Sequence, residues 1–212
     1  MNPYDRFILP RLTNCVCGGS RVSRLRQLVV PRARGRVLEI GFGSGLNLAH
    51  YDRSCVDRIW ALEPSAQMRA LAMPRVARSG LDVRIIDAPA ERLPLEAGSV
   101  DTVVATFVLC TIPDPSAALA CALRALRPGG QLLFCEHGAA PDADVRRWQD
   151  RLNRPWRRLA GGCHLNRDIA GLIESAGFRI GELDSAYLPS APRFVGYVSR
   201  GVAFPSRALT GG

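Results

Sequence analysis

Val37-Leu38-Glu39-Ile40-Gly41-Phe42-Gly43-Ser44-Gly45 is a short apolar strand that runs into three alternating glycines and then into Leu46–Tyr51, a stretch with helical spacing. Glycine has no Cβ, so a strand that ends this way lets a ligand approach the backbone closely. The free N–H groups at the start of the following helix then face that ligand. A dinucleotide-binding turn needs G-x-G-x-x-G, whose last glycine packs helix on strand. Here position 46 is leucine, and Glu39 sets a carboxylate where a pyrophosphate would have to sit. A ligand with positive charge suits this turn better than a diphosphate does.

Outward from the turn the same alternation repeats. Asp57–Glu63 is a second strand, and Pro64-Ser65 then starts a helix over Ala66–Arg78. Val83–Ile86, Val100–Phe107 and Leu132–Glu136 supply three more strands. Pro113–Leu126 is helical, with Leu119, Leu123 and Leu126 on one buried face, and Arg127-Pro128-Gly129-Gly130 turns the chain into the next strand. Strands separated by helices of roughly 10–15 residues predict parallel βαβ units with right-handed crossovers. Beyond Glu136 the pattern changes to an arginine-rich helix over Asp142–Arg158, and then a helix over Asn166–Ala176 that Asn166 caps and Gly177 closes. Two last strands, Phe178–Asp184 and Arg193–Val202, should pair antiparallel. Glu63 ends the second strand, where a carboxylate can accept both hydrogen bonds of a ribose diol.

Composition narrows the class. The 212 residues are 47% hydrophobic, enough for one ordinary globular domain and too apolar for a disordered chain. No window approaches the roughly 18 apolar residues of a membrane span, so no transmembrane segment is expected. All 28 basic residues are arginine. Residues 1–36 hold eight of them against Asp5 alone, so the formal charge of +9 belongs largely to the leader. That segment includes a short amphipathic helix over Ser20–Val30, with Val22, Leu25, Leu28 and Val29 on one side, and reads as a solvated helix, a lid or a dock for anionic membrane surface. Lacking interleaved aromatics and recognition motifs, it predicts no nucleic-acid partner.

The seven cysteines are odd in number, irregular in spacing and preceded by no secretory signal, so a disulfide framework is not expected and a reducing compartment is. Cys121 and Cys135 lie in apolar segments as small buried hydrophobes. Cys15, Cys17, Cys110 and Cys163 read either as a thiophilic grouping or as small residues near an apolar pocket. Cys-x-Cys lacks the usual zinc spacing and a matched second pair, so no metal site is expected.

The set of motifs resembles the class I S-adenosylmethionine-dependent methyltransferases from about Arg34 to Glu136. It comprises the glycine turn, Leu62-Glu63-Pro64, Ala90-Glu91-Arg92-Leu93-Pro94-Leu95 with Gly98-Ser99-Val100-Asp101, and Leu126-Arg127-Pro128-Gly129-Gly130. The resemblance implies a doubly wound, seven-stranded Rossmann-like sheet with helices on both faces and a terminal antiparallel hairpin. It divides the chain into a basic helical leader or lid over 1–33, the domain over 34–204 and a tail over 205–212. It implies S-adenosyl-L-methionine as cofactor, with contacts at Glu39, Gly41, Gly43, Gly45, Glu63, Pro64, Ala90, Glu91 and Thr106. Pro89 stands where the family's motif places an acid that reaches the adenine amino group, which leaves the backbone of Ala90, Glu91 or the displaced Asp87 for that role.

Thr106-Phe107-Val108-Leu109-Cys110, Cys135-Glu136-His137 and Gly161-Gly162-Cys163-His164-Leu165 are similar to the methyltransferase-like seven subgroup, which methylates small-molecule thiols. The expected reaction is methyl transfer to a small, mainly apolar acceptor, a thiol by preference. O- or C-methylation of a quinone-like or natural-product molecule is the alternative, and a non-catalytic nucleoside-binding protein the alternative from another class. His137 and His164 are the candidate proton-transfer residues, each against a plainer reading as a packed or solvent-facing side chain. The expected location is cytoplasmic, peripheral to a membrane if the leader docks there.

Overall fold

The computed structural model describes residues 3–206, so residues 1–2 of the expected leader and 207–212 of the expected tail lie outside the described residues. The strands are Gly35–Ile40 (β1), Val56–Leu62 (β2), Val83–Ile86 (β3), Val100–Thr106 (β4), Leu126–His137 (β5), Phe178–Tyr187 (β6) and Tyr197–Pro205 (β7). They form one sheet in the order β3-β2-β1-β4-β5-β7-β6. The first five run parallel, and β7 pairs antiparallel with both β5 and β6. The order reverses between β1 and β4, which opens a crevice at their carboxyl ends.

Successive residues of a strand point to opposite faces, so a sheet covered on both sides needs apolar residues at every position. Leu38 and Ile40 of β1 join one core with Val103, Phe134 and residues of two helices, Pro115–Ala125 (α4) and Ile169–Ser175 (α6). Val37 joins the opposite core with Val104, Leu133, Val29, Val30 and Ala72 of Ala66–Ser79 (α3). Ser65 caps α3 by accepting from the Met68 N–H, and Gly80 ends it in the left-handed region. Asp114 caps α4 in the same way through the Ala117 N–H.

Three local expectations change and one holds. Leu46–Ala49 is a single 3-10 turn, because the Asn47 and Tyr51 side chains turn inward to reach Glu39. The cap of α6 is Asp168, which accepts from the Gly171 N–H directly before the apolar run, while Asn166 donates to Asp150. Arg193–Gly196 makes a helical turn after Pro192, so β7 starts at Tyr197. Ala143–Leu159 (α5) matches its predicted span to within a residue.

The leader is built more firmly than a solvated helix. It holds two helices, Leu9–Cys17 (α1) and Ser20–Val29 (α2), and periodicity signals only the second. Arg26, Val29 and Val30 are buried. Arg32 forms a paired ion bridge to Glu182 of β6. Among the described residues, no helix is long and apolar enough to cross a membrane.

Candidate active site

A cleft of about 390 Å³ lies over the carboxyl ends of β1, β2 and β4. One wall is backbone. Gly41, with φ of +65°, leaves no room for a side chain, since a Cβ there would stand 2.1 Å from Val108 Cγ2. Gly43, with φ of +58°, is different: the nearest atom to a Cβ would be Met68 Cε at 3.4 Å, so the space over this glycine is the cleft itself.

Two buried carboxylates flank that backbone. Glu39 accepts from Tyr51 Oη at 2.7 Å and from Asn47 Nδ2 at 2.9 Å. Burial pushes Glu39 up to about 7, against the opposing pull of Tyr51, Arg26 and Asn47. Glu63 accepts the N–H of Gly43 at 2.9 Å and of Ser65 at 2.8 Å, one on each oxygen. Its carboxyl is raised by burial and drawn back by those two N–H groups. Each oxygen of Glu63 keeps a lone pair for a further donor.

Arg26 reaches into this network from α2. Its Nη1 donates to Asn47 Oδ1 at 2.7 Å and to Thr106 Oγ1 at 2.5 Å, and its guanidinium lies 5.3 Å from the centre of the Phe107 ring. Its Nε is buried and has no partner. A buried N–H left unpaired is costly, which marks this atom as a place for an acceptor atom of a ligand. Phe107 itself has φ of +54°, an unusual conformation for a bulky residue. Its N–H donates to the Cys135 carbonyl, and the next N–H, of Val108, donates to the fully buried Glu136 carboxylate. Glu136 thus braces the loop that follows β4. Burial pushes it up to about 7, against the N–H groups of Val108, Leu109 and Cys110.

The opposite wall is α1, through Leu9, Pro10, Thr13, Asn14 and Cys17. Ser44 Oγ donates to Asn14 Oδ1 at 2.7 Å and ties the helix to the glycine turn. Of Phe7, Ile8, Leu9 and Leu12, only Leu9 lines the cleft, while Phe7, Ile8 and Leu12 are exposed.

The sequence-predicted residues therefore divide. Glu39, Gly41, Gly43, Glu63, Pro64 and Thr106 line the cleft, and Gly45 shapes its turn with φ of +76°. Ala90 packs in the core, and Glu91 accepts from the Asp114 N–H, so neither lines it. Asp87 forms an ion pair with Arg69. His137 and His164 are also outside the lining: His137 is buried at the end of β5, and the His164 N–H donates to the Cys110 carbonyl at 2.8 Å. Burial, with Arg167 and Arg157 nearby, lowers the His164 imidazole. Sequence reading missed Arg26, Asn47, Tyr51 and Glu136. The one available signal was a charged residue inside an apolar run, as at Glu136.

Cys110, His137 and Cys163 meet behind the cleft. Their ligating atoms all lie within 4.8 Å of one another. The Cys110 thiol faces Cys163, which holds Cys163 toward thiolate, with His137 and Trp156 adding to that effect, while Cys110 is driven far up. Cys17 lines the cleft and Cys15 is exposed, so the four cysteines of the sequence reading do not form one group.

The cleft fits S-adenosylmethionine. It offers glycine backbone for close approach, carboxylate for cationic groups and a diol, and an unpaired guanidinium N–H for a carboxylate. A family model described as a methyltransferase domain matches residues 38–134. Human thiol S-methyltransferase TMT1B is 31% identical over 183 residues, covering 82% of this chain and 74% of that protein. Human thiol S-methyltransferase TMT1A is 33% identical over 160 residues, covering 74% of this chain and 65% of that protein. Geranyl diphosphate methyltransferase, solved in complex with SAM, superposes with a TM-score of 0.68 at 14% identity, over 85% of this chain and 84% of that one, a likeness of fold. The chain belongs to the class I S-adenosylmethionine-dependent methyltransferases, where its relatives include the thiol S-methyltransferases.

Proposed function

We propose that this methyltransferase acts on the sulfur of a small, mainly apolar thiol. The observation that carries the choice of sulfur is the lack of a free base: among the described residues that line the cleft there is no histidine, and both carboxylates are already engaged by two donors each. A thiol with a pKa of about 8.5 is partly thiolate at neutral pH and attacks without assistance, whereas an alcohol needs its proton removed. The two human relatives named as thiol S-methyltransferases support the same reading.

In this reading Glu63 receives the ribose diol on its two remaining lone pairs, and Glu39 faces the positive charge of the methionyl part. Arg26 Nε takes the carboxylate, while the turn at Gly41, Gly43 and Gly45 lets the ligand lie against backbone. When bound, S-adenosylmethionine supplies a methyl group already activated on a sulfonium sulfur. The chain's own contribution is alignment and exclusion of water, with Leu9, Pro10 and Val108 as apolar cover for the acceptor. His137 and His164 have no direct part in proton transfer here.

A matched pair of acceptors tests this, an aryl-alkyl thiol and its alcohol isostere, with labelled cofactor. Sulfur should be methylated at least roughly 100-fold faster, the factor that one well-placed base would otherwise supply to oxygen. Equal rates on the two, or transfer to oxygen or carbon of a quinone-like acceptor in preference to sulfur, would overturn the reading.

A further inference from the structure

We infer that Cys110, Cys163 and His137 form a binding site for a thiophilic divalent cation of the zinc type, set behind the cleft. The three residues come from three elements: the loop after β4, the segment after α5 and the end of β5. Backbone contacts hold them in place. The His164 N–H donates to the Cys110 carbonyl at 2.8 Å, the Gly162 N–H donates to the Arg157 carbonyl at 2.8 Å, and the Cys110 N–H donates to Glu136, the neighbour of His137, at 3.3 Å.

The spacing matches the cation. Zinc bonds of about 2.3 Å to sulfur and about 2.0 Å to nitrogen, at tetrahedral angles, separate a nitrogen from a sulfur by about 3.5 Å and two sulfurs by about 3.8 Å. Cys163 Sγ and His137 Nδ1 stand 3.7 Å apart, and the whole trio lies within 4.8 Å. The other ring nitrogen, Nε2, is buried without a hydrogen-bond partner.

Charge gives an independent argument. The ionisable groups that face the trio include the buried Glu136 carboxylate, the Cys17 thiol and the His164 imidazole near Cys163, and the Arg167 guanidinium, whose Nη1 is pinned to the carbonyls of Leu109 and Ile112. With both thiols ionised, as a bound metal requires, the trio carries two negative charges, which a divalent cation cancels. Two sulfurs and one imidazole also form a donor set that prefers zinc to calcium or magnesium.

Three protein donors leave a tetrahedral cation one open position, the arrangement of catalytic rather than closed structural zinc.

The test uses the full chain, reduced, stripped with a chelator and titrated with Zn²⁺ against a chromophoric competitor, and with Co²⁺ by absorption. One equivalent per chain should bind, with a thiolate-to-cobalt charge-transfer band. Cys110→Ser and Cys163→Ser should each weaken binding roughly 100-fold or more, beyond the effect of losing an outer-shell partner. His137→Cys, which keeps three donors, should retain it, and Cys55→Ser should leave it unchanged. Unaltered S-adenosylhomocysteine affinity in the serine variants would show that they fold. No stoichiometric binding by the unaltered chain, or undiminished binding by the double serine variant, would overturn the inference. Zinc bound at these residues in a chain that fails to methylate thiols would overturn the functional reading alone.

Discussion

The sheet wall of the cleft is made of glycine backbone and buried carboxylates at the ends of β1 and β2, whereas the wall opposite is the side of α1, a helix whose outer residues Leu12 and Val16 are 48% and 61% exposed. Groups of the sheet wall sit inside a seven-stranded sheet and can open only when much of the domain opens. Among the described residues, the side-chain hydrogen bonds that tie α1 and the preceding turn to the body include Ser44 to Asn14 and Tyr4 Oη to the Leu159 carbonyl. The leader is itself split, because α2 supplies Arg26 and Val29 to the buried interior. From this contrast we expect holding the cofactor and closing over the acceptor to be separable, with the line of separation between the two leader helices.

The largest effect is expected on the sheet wall. Gly43→Val should reduce S-adenosylhomocysteine affinity by more than about 100-fold, since a branched side chain fills the cleft and the positive φ costs an L-residue about 1–2 kcal/mol. Gly43→Ala should lose less, because its Cβ meets nothing closer than 3.4 Å. Isothermal titration measures both, and a valine variant that binds normally would mean that the cofactor does not cross this turn.

Glu63→Ala comes next, with a loss of roughly 10- to 100-fold in affinity, corresponding to about 1.5–3 kcal/mol for charged hydrogen bonds. The Gly43 and Ser65 N–H groups lose their acceptor too, so circular dichroism should accompany the titration. Unchanged affinity in a folded variant would remove Glu63 from the site.

The leader separates the two walls directly. Removing residues 1–18 takes away α1 and leaves α2 with Arg26 in place. We expect S-adenosylhomocysteine affinity to stay within a few-fold and methyl transfer to fall by roughly tenfold or more, as for loss of a lid. Removing residues 1–30 instead exposes the core beneath Val29 and Val30 and strips Asn47 and Thr106 of their partner, so it should unfold the domain at lower temperature. Full turnover after the shorter deletion would make α1 a passive element, and loss of sedimentation with anionic vesicles alone would make it a membrane dock.

The smallest effect is a pH dependence. Glu39 rises from 4.5 to about 7 on folding, so the folded chain keeps a proton that the unfolded chain has released. Its contribution to stability is therefore present below pH 4.5 and is lost as pH rises to 7. A cationic ligand favours the ionised form, so S-adenosylmethionine affinity should increase by up to about tenfold between pH 6 and pH 8. Glu39→Gln should flatten that slope, and a slope that survives the substitution would assign it to another group.

Most of the sheet was legible because each parallel strand is apolar at consecutive positions and is punctuated by glycine or proline. The exceptions are instructive. Leu46–Tyr51 has helical spacing, yet the demand of the buried Glu39 carboxylate for donors draws Asn47 and Tyr51 inward and leaves only a 3-10 turn. Arg193–Gly196 has strand-like residues, but Pro192 starts a helical turn there.

What the sequence by itself determined is the glycine-and-carboxylate wall of the cleft: glycines at 41, 43 and 45, an acid at 39 and another at 63 lie close along the chain, and their order with respect to the strands places them at one sheet edge. Only the tertiary structure decided the rest. Arg26 is a surface-type residue in a basic leader, and nothing local distinguishes it from Arg21 or Arg24; burial against Asn47 and Thr106, 21 and 80 residues away, sets it apart. Cys110, His137 and Cys163 likewise share no spacing that a motif could carry, because the crossings after β4, β5 and α5 bring them together. Contacts between residues close in the chain follow from local pattern and backbone sterics, while contacts between distant residues depend on how packed elements cross, which no short stretch of sequence encodes.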